Sequence, residues 1–215
     1  MTDLFGGADL PQRSREDLAP GAVLLRYYAG TEARALANAI SAVAAISPFR
    51  HMVTRGGFAM SVAMTNCGSG GWVSDRRGYR YQALDPETGA PWPAMPAPFR
   101  ALAQDAAAEA GYPGFAPDVC LINRYQPGAK MALHQDQDEA DFSQPIVSVS
   151  LGLAAIFRFG GLNRSDPARK IPLLHGDVVV WGGPSRLYFH GIDSLKPGTH
   201  PVCGDMRLNL TFRRS

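Results

Sequence analysis

The chain has 215 residues, of which 46% are hydrophobic and 19% charged, with a formal net charge of +2. A globule of this size buries roughly 70% of its unfolded surface, so a core forms without metal or disulfide staples. The composition excludes long disorder, no apolar run reaches the ~18 residues of a membrane helix, and the charge is too mild to establish a nucleic-acid partner by itself.

Residues 1–20 are polar and rich in Pro and Gly, which reads as a flexible arm ahead of a single domain over 21–215. Val23–Tyr28 reads as a strand. Over Thr31–Ser47, Leu36, Ile40, Val43 and Ala44 fall at helical spacing, with Thr31 placed to cap the helix and Pro48 to end it. A second helix runs from Pro98 to Ala110 and stops at Gly111. From residue 117 onward the pattern is short strands between Pro-Gly, Gly-Gly and Gly-Asp turns. They are Val119–Tyr125, Met131–His134, Ile146–Leu153, Ile156–Phe159, Val178–Trp181, Leu187–His190 and Met206–Arg213. Helices first and strands later imply an α+β, mainly β fold whose second half is a sandwich or barrel.

Two strands carry polar information. Val119–Tyr125 is apolar on both faces, so it is expected at the centre of a sheet, with Asn123 buried. In Met206–Arg213 the even positions are apolar, while Arg207, Asn209, Thr211 and Arg213 share the other face. Taken alone, that strand is expected to be half exposed, with its polar face in water.

Cys67, Cys120 and Cys203 are far apart and form no CxxC pair, which suits free thiols in a reducing compartment rather than a zinc site. The N-terminal segment lacks the basic-then-apolar pattern of a secretory leader, so a cytoplasmic location is expected.

The metal candidates are histidines. His134 and Asp136 flank Gln135 at a strand end, where residues two apart project to one side. With His190 they complete a 2-His-1-carboxylate set, the arrangement of non-haem Fe(II) oxygenases with open coordination positions. His175-Gly-Asp177 has the same spacing, but its central Gly ahead of a Val-rich strand marks a turn, which Asp177 is expected to cap. His51 and His200 lie in loop-like stretches without a partner.

The ordered run LINRY (Leu121–Tyr125), Pro127-Gly128, His134-Gln-Asp136, SVSLGL (Ser148–Leu153), His190-Gly191 and RLNLTFR (Arg207–Arg213) resembles the AlkB family of Fe(II)/2-oxoglutarate dioxygenases. The resemblance spans about residues 20–215. It implies a double-stranded β-helix, or jelly-roll, core at about 117–215, N-terminal helices, and a nucleotide-recognition lid at about 50–90. It implies that His134, Asp136 and His190 bind Fe(II), with O2 and 2-oxoglutarate as co-substrates. Asn123, Tyr125, Arg207, Asn209 and Arg213 would hold 2-oxoglutarate, Arg207 at the distal carboxylate and Arg213 nearer the metal.

The lid segment Trp72–Tyr81 interleaves aromatics with arginines, a composition equally fit for strand binding and for a solvated turn. The resemblance favours binding. Trp72 would stack on an extruded base opposite His134, with Tyr79 and Tyr81 beside it. Asp138 would read the base edge, Arg164 and Lys130 would form the rim, and Met64 an apolar wall. The implied activity is repair of alkylated DNA, with RNA left open, by oxidative demethylation of N1-methyladenine and N3-methylcytosine in single-stranded or extruded form. The products are formaldehyde, succinate and CO2, and the enzyme acts as a monomer away from membranes. Two alternatives stand beside it: a 2-oxoglutarate oxygenase of proteins or small molecules, and a non-enzymatic cupin-like binding module.

Overall fold

A computed structural model describes residues 12–215; the part of the expected arm over residues 1–11 lies outside them. The strands are β1 (Ser14–Ala19), β2 (Ala22–Arg26), β3 (Arg50–Val53), β4 (Ala59–Gly68), β5 (Gly71–Asp75), β6 (Gly78–Gln82), β7 (Val119–Tyr125), β8 (Met131–His134), β9 (Ile146–Gly152), β10 (Ala155–Phe159), β11 (Arg169–Leu173), β12 (Val178–Trp181), β13 (His190–Ile192) and β14 (Arg207–Arg213). The helices are α1 (Ala33–Ile46) and α2 (Ala97–Glu109). An eight-stranded sheet runs β1-β2-β12-β9-β14-β7-β4-β3, and a four-stranded sheet runs β11-β10-β13-β8. The two form the jelly-roll, while β5 and β6 pair apart as a small hairpin. Among the described residues no helix is long and apolar enough to cross a membrane.

Two apolar clusters lie on opposite faces of the large sheet. On the outer face, Leu36, Ile40 and Val43 of α1 and Phe99 of α2 pack with Ile122, Leu208, Leu210 and Phe212. Between the sheets, Leu24, Met64, Leu121, Phe157, Ile171 and Trp181 pack together. All seven residues of β14 are therefore buried. This corrects the expectation of a solvated polar face: the small sheet, not water, covers Arg207, Asn209, Thr211 and Arg213. β7 lies inside the sheet between β14 and β4, and Asn123 is buried.

Several boundaries differ from the sequence expectation for identifiable reasons. Residues 14–19 are not a loose arm. They form an edge strand whose backbone pairs with β2 and whose Arg15 donates to the Glu109 carbonyl; a charged edge strand lacks the apolar alternation that signals a strand. Thr31 does not cap α1. Glu32 takes that position without a side-chain bond, and backbone turns at Ala29 and Gly30 receive the first amides. The strand expected at Leu187 starts only at His190, because the Tyr188 and Phe189 amides bond to Ser185 and Gly161 instead. β3 and β4 belong to the large sheet, so only the β5–β6 hairpin stands apart within the expected lid. His51 lies on β3 rather than in a loop, and both it and His200 serve local bonding and packing away from the triad. His51 Nδ1 lies 2.8 Å from the Met60 carbonyl, and His200 packs on His175 with ring centroids 4.1 Å apart.

The second His-x-Asp pair is structural. Asp177 accepts from the amides of Tyr27 and Leu174, both at 2.9 Å, and from Arg26 Nη1 at 2.8 Å. Gly176 has φ +86°, and a Cβ there would come within 2.8 Å of the Gly30 backbone. Asp177→Ala leaves three part-buried donors without this acceptor, so it lowers stability by about 1–3 kcal/mol in chemical denaturation. Its metal affinity, measured by titration of the folded protein, stays at the wild-type value.

Candidate active site

The antiparallel pairing of β13 with β8 sets His190 directly opposite His134, with ring centroids 4.4 Å apart. Asp136 follows β8 and brings its carboxylate between them: Oδ1 is 3.6 Å from His134 Nε2, and Oδ2 is 3.8 Å from His190 Nε2. Each imidazole places its Nδ1 2.9 Å from a backbone carbonyl, of Ala132 for His134 and of Tyr188 for His190. That bond fixes the proton on Nδ1 and leaves the Nε2 lone pair toward the carboxylate. Three ligand atoms within 4.8 Å of one another can hold one divalent ion. The donor set, two imidazoles and one carboxylate with open positions, fits Fe(II).

Burial and the neighbouring imidazole push His190 down to about 4, so it offers a neutral nitrogen throughout the physiological range. Burial alone would raise Asp136. The Arg213 guanidinium, helped by the two imidazoles, overcomes that and holds the carboxyl well below the usual range. Arg213 donates to Asp136 Oδ2 from Nη2 at 2.6 Å and from Nε at 3.0 Å.

Behind the triad lies a small cavity of about 60 Å³, bounded by Asn123, Ser148, Trp181, Arg207, Asn209 and Arg213. Its polar walls fall into two groups. Asn209 is satisfied by Ser148, the Val149 carbonyl and Thr211. Arg207 Nε and Nη1, Arg213 Nη1 and Asn123 Oδ1 are buried without a partner. Among the described residues Arg207 donates to Ser150 Oγ at 2.9 Å and lies over the Tyr125 ring at 4.9 Å. Burial pulls its pKa down, and among the described residues no carboxylate pairs with it. A buried cation with two free donors is suited to an anionic ligand, and a dicarboxylate such as 2-oxoglutarate supplies one.

In front of the triad is a larger groove of about 530 Å³. The structure places Trp72, Tyr79, Asp138, Arg164, Lys130 and Met64 along it, with His134 and Asp136 at its base. Trp72 stacks on Tyr79 at 5.5 Å and donates its indole N–H to Asp138 Oδ2 at 2.7 Å. Arg164 lies over Phe189. Tyr81 is set apart: its hydroxyl donates to Glu139 Oε1 at 2.7 Å, away from the groove walls. The arginines of the hairpin turn are not equivalent either, because Asp75 pairs with both Arg77 and Arg80. Sequence reasoning missed Ser150, Glu139 and Arg186. The run of acids after Asp136 was visible, but nothing in the spacing tied Glu139 to an arginine 47 residues away.

The model of the 2OG-Fe(II) oxygenase superfamily matches residues 21–213. The chain is 60% identical over 215 residues to the alpha-ketoglutarate-dependent dioxygenase AlkB of Escherichia coli strain K12, covering all of this chain and 98% of that protein. It is 51% identical over 183 residues to the AlkB homolog of Caulobacter vibrioides, covering 85% of this chain and 81% of the relative. The solved structure of OsALKBH1 superposes with a TM-score of 0.82 at 32% identity, over 94% of this chain and all of that one. The family model over residues 21–213 and the 60% identity over the whole chain show that this chain belongs to the AlkB family of 2OG-Fe(II) oxygenases and is a 2-oxoglutarate-dependent dioxygenase.

Proposed function

We propose that this dioxygenase repairs alkylated DNA by demethylating N1-methyladenine and N3-methylcytosine, taken as single-stranded or extruded bases, with RNA as a second polymer. The observation that carries the proposal is the groove itself. A stacked Trp72–Tyr79 pair and a fixed Asp138 carboxylate stand directly in front of a metal triad backed by an unpaired cation. Both methylated bases are cationic, and a carboxylate at the groove wall favours them over neutral bases. A base inside a stack cannot reach the triad, so the nucleotide must be unpaired or flipped.

Each side chain has a physical task. His134, Asp136 and His190 would hold Fe(II). Arg207 would bind the distal carboxylate of 2-oxoglutarate through its free Nε and Nη1, with Asn123, Tyr125 and Asn209 shaping the cavity and Arg213 nearer the metal end. Trp72 would stack on the base opposite His134, and its indole N–H holds Asp138 toward the base edge. Arg164 and Lys130 would meet the backbone phosphates, and Met64 would close an apolar wall. When bound, Fe(II), 2-oxoglutarate and O2 together supply the oxidation of the N-methyl group to N-hydroxymethyl, with 2-oxoglutarate leaving as succinate and CO2. The hydroxymethyl group then loses its hydroxyl proton and leaves as formaldehyde, the C–N bond pair returning to adenine N1 or cytosine N3 as its lone pair. All of these residues lie on one chain, which suits a monomer, and the three cysteines are free thiols, which suits a reducing cytoplasm.

A protein or small-molecule substrate is disfavoured by the stacked aromatic pair and basic rim. A binding module without catalysis is disfavoured by an intact triad.

Incubation with Fe(II), 2-oxoglutarate, ascorbate and a single-stranded oligonucleotide carrying N1-methyladenine will release the methyl group and matching succinate, both followed by mass spectrometry. Succinate without methyl loss would discard this substrate. Asp136→Ala will abolish both products while circular dichroism retains the fold. Trp72→Ala will weaken methylated-oligonucleotide binding roughly tenfold, as expected for a lost stacking contact of about 1–3 kcal/mol. Calorimetry on that variant will find 2-oxoglutarate affinity unchanged; equal loss of both ligands would remove Trp72 from the pocket.

A further inference from the structure

Behind the metal ligands a buried chain of alternating charges runs from Asp136 and Arg213 to Glu139 and Arg186, and the last two have no part in the reaction described above. Asp136 Oδ2 accepts from Arg213, and Arg213 Nε is also 3.3 Å from Glu139 Oε1. Glu139 Oε2 accepts from Arg186 Nη2 at 2.9 Å. The side chains of Glu139 and Arg186 are 2% and 3% exposed. Arg186 spends every nitrogen on one segment. Beyond Glu139, Nη1 donates to the Asp136 carbonyl at 2.7 Å and Nε to the Gln144 carbonyl at 3.0 Å. A single guanidinium thereby holds both ends of residues 136–144, the segment that carries the metal carboxylate and Asp138.

The β5–β6 hairpin is fastened to the same segment. Tyr81, on β6, donates to Glu139 Oε1, and Trp72, on β5, donates to Asp138. The hairpin forms a two-stranded sheet of its own, held also to β4 by two bonds between Asn66 and the Trp72 backbone and to β3 by Ser74 Oγ donating to the Val53 carbonyl. Burial, with Glu139 beside it, pushes the Tyr81 phenol up, so it remains a donor. Losing this bond leaves Glu139 short of a buried partner, and Arg213, shared between two carboxylates, is then drawn toward Glu139 and away from Asp136.

We infer that Glu139 and Arg186 are positioning residues for the metal centre, and that the Tyr81 hydroxyl couples the seating of the β5–β6 hairpin to Asp136. The coupling half rests on the nucleic-acid reading of the groove; the positioning half does not. Because coupling between two binding equilibria is reciprocal, an oligonucleotide that settles the hairpin must tighten the metal by the same factor as the metal tightens the oligonucleotide.

The test uses the full chain with 2-oxoglutarate and without O2. Mn(II) affinity is measured by calorimetry, with and without a single-stranded oligonucleotide carrying N1-methyladenine. In the wild type the oligonucleotide tightens Mn(II) by roughly fivefold or more. In Tyr81→Phe Mn(II) binds more weakly without oligonucleotide, because Arg213 shifts from Asp136 toward Glu139, and the oligonucleotide no longer tightens it. Glu139→Gln weakens Mn(II) by roughly tenfold without any oligonucleotide, as loss of a group that orients a metal ligand does, and Arg186→Lys weakens it as well. Thermal unfolding of each apo variant separates this from misfolding: a lowered Tm with wild-type Mn(II) affinity in the folded protein would make Glu139 and Arg186 merely structural and overturn the positioning role. Full tightening retained in Tyr81→Phe would overturn the coupling. An oligonucleotide that fails to bind the wild type would overturn the nucleic-acid reading and the coupling together, while the Glu139→Gln measurement still decides the positioning role.

Discussion

A β-strand covered on both faces has nowhere to send polar side chains except into the protein, and β14 is such a strand. Its even positions fill the apolar layer beneath α1 and α2, so its odd positions must point between the sheets. The register with β7 then sets Arg207 opposite Tyr125 and Asn209 opposite Asn123. A slip of one residue would exchange the two faces and drive guanidinium groups into the helix-packing layer, so the apolar core that stabilises the fold also fixes the site's register.

The two arginines delivered by that strand meet opposite fates. Arg213 lands on Asp136 and is neutralised within the protein. The same contact keeps the Asp136 carboxylate ionised despite its burial. Arg207 finds a hydroxyl and an aromatic face but no acid. The charge pattern thus separates two roles along one strand: one cation serves the metal ligand, and the other is held for a ligand from outside. The pairing of β13 with β8 supplies the remaining element, two imidazoles locked by backbone carbonyls in one tautomer.

Much of this was legible in the sequence where local pattern and tertiary environment agree. The apolar stripe of α1 and the limits of β7, β8 and β12 follow from periodicity and from bounding turns. The functional His-x-Asp pair was separable from the turn pair at His175 because Gly176 announces a backbone requirement. β14 was ambiguous, since alternation reveals two faces but not what covers them. Edge strands were the least legible. β1 is charged, and β11 carries Pro172, tolerated there because an edge residue need not donate to a neighbour. Glu139 and Arg186 could not be found from spacing, because their contact exists only once the chain has closed around the metal segment.

The unpaired guanidinium of Arg207 also bears on how the protein evolves. Without its ligand the native state carries an uncompensated buried cation, a point of local frustration that a sequence selected for stability alone would remove. An apolar residue of similar volume at this position would relieve that frustration while removing the cation proposed to bind the dicarboxylate, which is a stability–function trade-off confined to one side chain. The same logic makes the co-substrate a folding ligand: by binding the native state and not the unfolded chain, it raises the protein's resistance to unfolding in proportion to the logarithm of its concentration. The folding equilibrium of this dioxygenase is thereby coupled to the concentration of the small dicarboxylate it consumes.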